Sequence, residues 1–244
     1  MLNIMESESI KQFGTNYGGF YYPSNLNGLN KNSIIYCVGA GEDITHDIEI
    51  ANQLNSKVYI FDPTPKAIEH VKYVKDVFDD KKLPISSNRY GGGDPNYWNV
   101  LLNNRINSDK IILKEYGLFT EDSILKFYKP SNPDYVSHSL VHGMKSDNYF
   151  MVNVKSLNSI MEELNHDAID LLKIDIEGCE CDVINKMLDD NIYPKYLSVD
   201  FDLGWHGERI ADREKCLKTI NRILSNNYRI IHYENSDFSF KLIN

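Results

Sequence analysis

The 244-residue sequence predicts a doubly wound, mostly parallel α/β sheet closed by a C-terminal antiparallel hairpin. Three observations predict it. From Ser33 onward, short β-rich runs alternate with helical ones, as in consecutive βαβ units. The run IDLLKI is almost wholly apolar, as the buried middle of a parallel sheet requires. The last two β runs, YRIIHYE and FSFKLI, are joined by a link too short to cross over, so they must pair antiparallel.

The elements follow in order. Residues 1–32 are polar and rich in Tyr, Gly and Asn without a sustained period, and read as an N-terminal extension draped on a domain of residues 33–244, where it could serve as a lid. SIIYCV is a buried strand, and the next segment sets Ile44, Ile48, Ala51 and Leu54 on one helical face. KVYIF is the second strand. Thr64 then stands as an N-cap with Pro65 at the first helical position, and Ile68, Val71 and Val74 continue the stripe. The glycine cluster RYGGGDPNYW marks a loop before a shorter helix, and KIILKEYG is the third strand, ending at Gly117. Residues 119–150, with their prolines and turn formers, read as strands and binding loops outside the βαβ rhythm. Ser156 caps a helix carrying Leu157, Ile160, Met161 and Leu164, after which IDLLKI is the central strand. Residues 181–190 read as helix and KYLSVDF as the fifth strand. Residues 212–226 form a last helix with Leu217, Ile220 and Leu224 inward, and the hairpin closes the chain.

Composition narrows the function. A net charge of -9 and a pI near 5.3 argue against a nucleic-acid surface, which needs clustered Lys and Arg. The sequence has no apolar run of about 18 residues to span a bilayer, and its N-terminus lacks the basic-then-apolar layout of a secretion signal, so a cytoplasmic location is expected. The four cysteines lie in strand- or helix-like segments and read as reduced core residues, and the Cys179/Cys181 spacing is wrong for a zinc knuckle.

Three places carry chemistry. In VGAGED after the first strand, Gly39 and Gly41 allow a sharp turn and a close ligand approach at the edge of the sheet, or they merely make a tight βα turn. A dinucleotide site would want a third glycine where Ile44 stands. The loop's acids, Glu42 and Asp43, would repel a pyrophosphate and suit a sulfonium ligand with an amino group. Asp62 ends the second strand, where a carboxylate can accept both hydroxyls of a ribose, or it caps the helix that follows, for which Thr64 is better placed. Asp175 stands at the carboxyl end of the central strand with Glu177 two residues on, and Asp200 and Asp202 end the next strand on one face. Asp175, Asp200 and Asp202 together could hold a divalent cation such as magnesium or manganese, and the alternative for Asp175 and Glu177 is a solvated helix-start role.

With these residues placed, KIDIEGCE resembles the signature K-[IVM]-D-[IVL]-E-G-x-E of the FkbM-type methyltransferases, and the likeness extends roughly over residues 34–202. The resemblance implies a class I methyltransferase fold, S-adenosylmethionine as cofactor, and O-methylation of small molecules or sugars. By position it implies that Gly39, Gly41 and Asp62 contact the cofactor, with Glu42, Asp43 and Gly117 as further candidates, and that Asp175, Glu177, Gly178 and Glu180 are the signature residues. The sequence departs from the usual D-x-G-A-x-x-G loop: Cys37 replaces the leading acid and Asp43 stands near the last glycine.

Transfer of an activated methyl group needs in-line positioning of a nucleophile and removal of its proton. The candidate bases are the histidines His138, His142 and His206; Asp175, expected within reach of the transferred methyl group, would orient one of them or, with Asp200 and Asp202, hold a metal that acidifies the hydroxyl instead. The expected acceptor is a small molecule or carbohydrate. The alternatives are a nicotinamide-dependent oxidoreductase and a non-catalytic ligand-binding protein on the same fold.

Overall fold

The computed structural model describes residues 9–85, 90–129, 140, 147–201 and 213–243. The chain opens on a two-stranded antiparallel ribbon, β1 (Ile10–Phe13) and β2 (Phe20–Pro23). Then come β3 (Ile35–Val38), α1 (Thr45–Leu54), β4 (Val58–Phe61), α2 (Pro65–Phe78), α3 (Tyr97–Asn103) and β5 (Ile111–Lys114). Three strands follow, β6 (Gly117–Leu118), β7 (Ser123–Tyr128) and β8 (Tyr149–Lys155). The chain continues through α4 (Leu157–Leu164), β9 (Leu171–Ile174), α5 (Glu180–Asp189), β10 (Tyr196–Asp200) and α6 (Arg213–Ser225) to β11 (Tyr228–Glu234) and β12 (Asp237–Leu242).

Seven strands form the main sheet in the order β11-β12-β10-β9-β3-β4-β5. β10, β9, β3, β4 and β5 are parallel, and β12 runs antiparallel to both its neighbours. β9 is thus the middle strand, as its apolar run predicts, and all four of its residues are buried, Lys173 among them. Alternate side chains divide the core between two faces. Ile35 and Cys37 pack with Ile48, Ala51, Val71 and Leu101, while Tyr36 and Val38 pack with Ile160, Ile184 and Ile220. Helices α1, α2 and α3 therefore cover one side, and α4, α5 and α6 the other. The stretch outside the βαβ rhythm is a separate three-stranded sheet ordered β6-β8-β7. Among the described residues no helix is long and apolar enough to cross a membrane.

Three local readings change. The segment before Ser33, expected to be irregular, contains the β1–β2 ribbon, and Phe13, Tyr22 and Leu26 in it are completely buried. Tyr22 meets Phe13 and Tyr196 edge-on, and the Tyr196 hydroxyl donates to Asn27 O at 2.8 Å. Burying one such side chain contributes about 2 kcal/mol, so the ribbon shares in the core. In α6, Leu217 is 60 % exposed rather than inward. The buried stripe is Cys216, Thr219, Ile220 and Ile223, because this i, i+3, i+4, i+7 set faces α5 and the sheet. KIILKEYG, finally, is not one strand: β5 stops at Lys114, and Gly117 begins β6 in the other sheet.

Candidate functional site

The carboxyl ends of β3, β4, β9 and β10 meet along one rim of the sheet. At the end of β3 the backbone turns sharply: Gly39 has φ +84, and a Cβ there would lie 1.7 Å from the Asp175 carbonyl oxygen. Only glycine lets the β3 loop lie against the end of β9 in this way.

Asp62 is 5 % exposed, and its carboxylate is committed to the protein. Oδ2 accepts from the backbone N–H of Ala40 at 2.9 Å and of Gly41 at 3.1 Å, and Oδ1 accepts from Thr64 N at 2.8 Å and Thr64 Oγ1 at 2.6 Å. A carboxylate offers about four acceptor sites, and these four donors all come from the protein's own loop and turn. Thr64 occupies the N-cap position but makes no side-chain cap. The turn is held by Asp62 instead. This also settles what the loop N–H groups do: those of Ala40 and Gly41, which could have met a phosphate, point at Asp62.

Asp43 is likewise engaged. Its Oδ1 accepts from Thr45 N at 2.8 Å and Thr45 Oγ1 at 2.6 Å, and Oδ2 accepts from Thr15 Oγ1 of the N-terminal segment. Burial raises its carboxyl above the usual range despite these bonds. Glu42 is also buried, 4 % exposed, and Gly117 packs against Val154 and Pro63.

Beneath the loop lies a charge network absent from the sequence reading. Lys173, 2 % exposed, donates from Nζ to Gly39 O at 2.7 Å. Burial opposes its charge, but Asp47, Asp175, Cys37 and Asp43 together hold the ammonium above its ordinary value. For Asp47 burial would raise the carboxyl, and Lys173 with the His46 ring outweighs it and holds the group low. His46 Nδ1 lies 3.0 Å from Asp47 Oδ1, and its Nε2 lies 3.1 Å from the Tyr22 hydroxyl. Among the described residues, Cys37, His46 and Asp47 are the one set whose ligand atoms lie close enough to hold a metal. The neighbouring Lys173 already supplies the cation. A lone lysine inside an otherwise apolar strand was the signal that could have found it.

At the ends of β9 and β10 the acids face one another. Burial pushes the Asp175 carboxyl well above the carboxylate range; Lys173 opposes the shift, and Asp200, Glu177 and Glu180 add to it. Glu180, 3 % exposed, braces the signature loop, accepting from Ile176 N at 3.1 Å and Gly178 N at 3.0 Å. Burial carries it up to about 7, against the pull of those N–H bonds. Asp237, paired across the ladder with Asp200, is also raised to about 7, by burial and then by Asp200. Asp202, His138, His142 and His206 lie outside the described residues. The structure thus brings Gly39, Asp43 and Asp175 together and assigns Asp62 to the loop.

The Methyltransferase FkbM domain matches residues 26–229. The chain belongs to this methyltransferase family. No curated protein matches the sequence. Among solved structures, the FkbM methyltransferase from Methylobacillus flagellatus KT is similar at 13 % identity and a TM-score of 0.48, over 90 % of this chain and 46 % of that one. This chain therefore spans about half the length of that FkbM protein. M. jannaschii TYW2 in complex with AdoMet is similar at 11 % identity and a TM-score of 0.31, over 98 % of this chain and 90 % of that one.

Proposed function

We propose that the chain is an S-adenosylmethionine-dependent methyltransferase that methylates a hydroxyl of a sugar, glycan or other small molecule. The observation that carries the reading is membership of the FkbM methyltransferase family; beside it, the carboxylates of Asp175, Glu177, Asp43 and Glu42 act electrostatically on the Tyr17 hydroxyl. Such a set suits a cationic ligand bearing a sulfonium and an amino group. It disfavours the pyrophosphate of a nicotinamide cofactor, as does the use of the Ala40 and Gly41 N–H groups by Asp62. The net charge of -9 favours a small-molecule or carbohydrate acceptor over nucleic acid, and the proposed compartment is the cytoplasm.

When bound, the cofactor supplies an activated methyl group. The protein's part is to bind, orient and deprotonate. Gly39 and Gly41 keep the backbone low beside the ligand, and the acids around Tyr17 receive its positive end. Asp175, whose carboxyl burial raises so that it holds a proton more tightly, takes the acceptor's hydroxyl proton on a carboxylate oxygen. His138 and His206 are the alternative bases.

The test has two arms. Titration calorimetry with S-adenosylmethionine, S-adenosylhomocysteine and NAD should show binding of the first two only. Incubation with methyl-labelled S-adenosylmethionine and a panel of sugars should move the label onto oxygen. Binding of NAD alone would select the oxidoreductase reading, and binding without transfer to any acceptor would select the ligand-binding one.

A further inference from the structure

The turn at residues 14–19, between β1 and β2, lies over the glycine loop and is fastened there by Thr15. Its hydroxyl donates to Asp43 Oδ2, and its backbone N–H donates to Thr45 Oγ1 at 2.9 Å. The same hydroxyl accepts from Tyr17 N at 3.3 Å and Gly18 N at 3.4 Å, which shapes the turn around Tyr17. A second loop approaches from the other side. Gly91 N donates to Glu42 O at 3.0 Å, and a Cβ added to Gly92 would lie 2.5 Å from Tyr17 Cδ2. The ring therefore lies directly on the backbone of residue 92, between the glycine loop and the signature loop, while 61 % of the residue stays exposed to a ligand. Desolvation first, then Asp175, Glu177, Asp43 and Glu42, push its hydroxyl up to about 12, so the phenol stays neutral.

We propose that Tyr17 recognises the positive sulfur of the methyl donor, its aromatic face meeting the cation within the field of the surrounding carboxylates. The inference rests on the cofactor reading above and names a residue for it. A cation over an aromatic ring is attracted by the ring's quadrupole, and the attraction grows when the pair is desolvated. S-adenosylmethionine carries a positive sulfur and S-adenosylhomocysteine a neutral one, so a contact built for a cation separates the two ligands. Nothing in a phenol ring packed on a glycine would favour a charged ligand if its part were only to shape the turn.

Calorimetry on the full chain tests this with both ligands and four variants. The wild type should bind S-adenosylmethionine more tightly than S-adenosylhomocysteine. In Tyr17→Leu and Tyr17→Ala the affinity for S-adenosylmethionine should fall by about tenfold and that for S-adenosylhomocysteine by less than about twofold. Tyr17→Phe should keep the preference, and Gly92→Ala, which displaces the ring, should lose it. Equal losses for both ligands, or an unchanged ratio in the non-aromatic variants, would overturn the inference while leaving the cofactor reading in place. Failure of the wild type to bind either ligand would overturn both.

Discussion

Asp62 and Asp175 stand at the carboxyl ends of β4 and β9, the two strands that flank β3, and their surroundings could hardly differ more. Asp62 is met by four donors from the protein's own loop and turn. Asp175 is met by one buried lysine and by Asp200, Glu177 and Glu180, which resist its ionisation. The same residue type at equivalent places in the sheet is held by loop donors in one case and pushed toward its protonated form in the other. Strand-end position therefore marks where a carboxylate can matter, and the donors around it decide what it does.

Substitutions should separate the two sides. The largest effect is expected at Lys173, which counters both Asp47 and Asp175. Lys173→Met leaves Asp47 buried without its cation, and urea unfolding should show a loss of about 4 kcal/mol; a loss near zero would mean that the network is not charged. Asp62→Ala orphans the N–H groups of Ala40, Gly41 and Thr64. It should cost about 3 kcal/mol in the same measurement, whereas an acid kept only for ligand binding would cost little. Asp175→Asn should change stability by less than about 1 kcal/mol, or raise it, because it removes a carboxylate from among like charges.

A different kind of effect is a slope with pH. The carboxyl of Asp237 is raised in the folded protein from 3.8 to about 7, so the folded state holds a proton that the unfolded chain releases. Its contribution to stability is complete below the unfolded value and is lost as pH rises through the folded one. Stability should accordingly fall from pH 4 toward pH 7 and above. Asp237→Asn should flatten that fall and be more stable than the wild type at alkaline pH. A thermal-melt series across pH in which both proteins run parallel would contradict the assignment.

Much of the fold was legible in the sequence, because the parallel strands are short apolar runs and the helices carry clean stripes. The β1–β2 ribbon was not. Its strands are only four residues long, and the two glycines before Phe20 read as loop, although Phe13 and Tyr22 enter the core. Leu217 misled because α6 carries more apolar residues than one face can bury. At the site, the glycine loop and the acids of KIDIEGCE could be found from residue type and spacing. The role of Asp62 could not, since nothing in VGAGED says that its N–H groups turn toward β4. Lys173 was visible as a charge inside LLKI, but apart from Asp175 its partners come from β3, α1 and the loop between them, far away in the chain. Tyr17 carried no pattern at all, and only the packing of residues 14–19 over the loop brings it to the rim.

The central claim is that chemistry belongs to the Asp175 side of the rim. The direct measurement is turnover of methyl-labelled S-adenosylmethionine by the wild type and Asp175→Asn at saturating acceptor, with donor affinity measured alongside. Turnover should fall by about a hundredfold or more while donor affinity is retained, as loss of a general base requires. An Asp175→Asn protein that transfers methyl at the wild-type rate would contradict the account and leave Asp175 a residue of the fold.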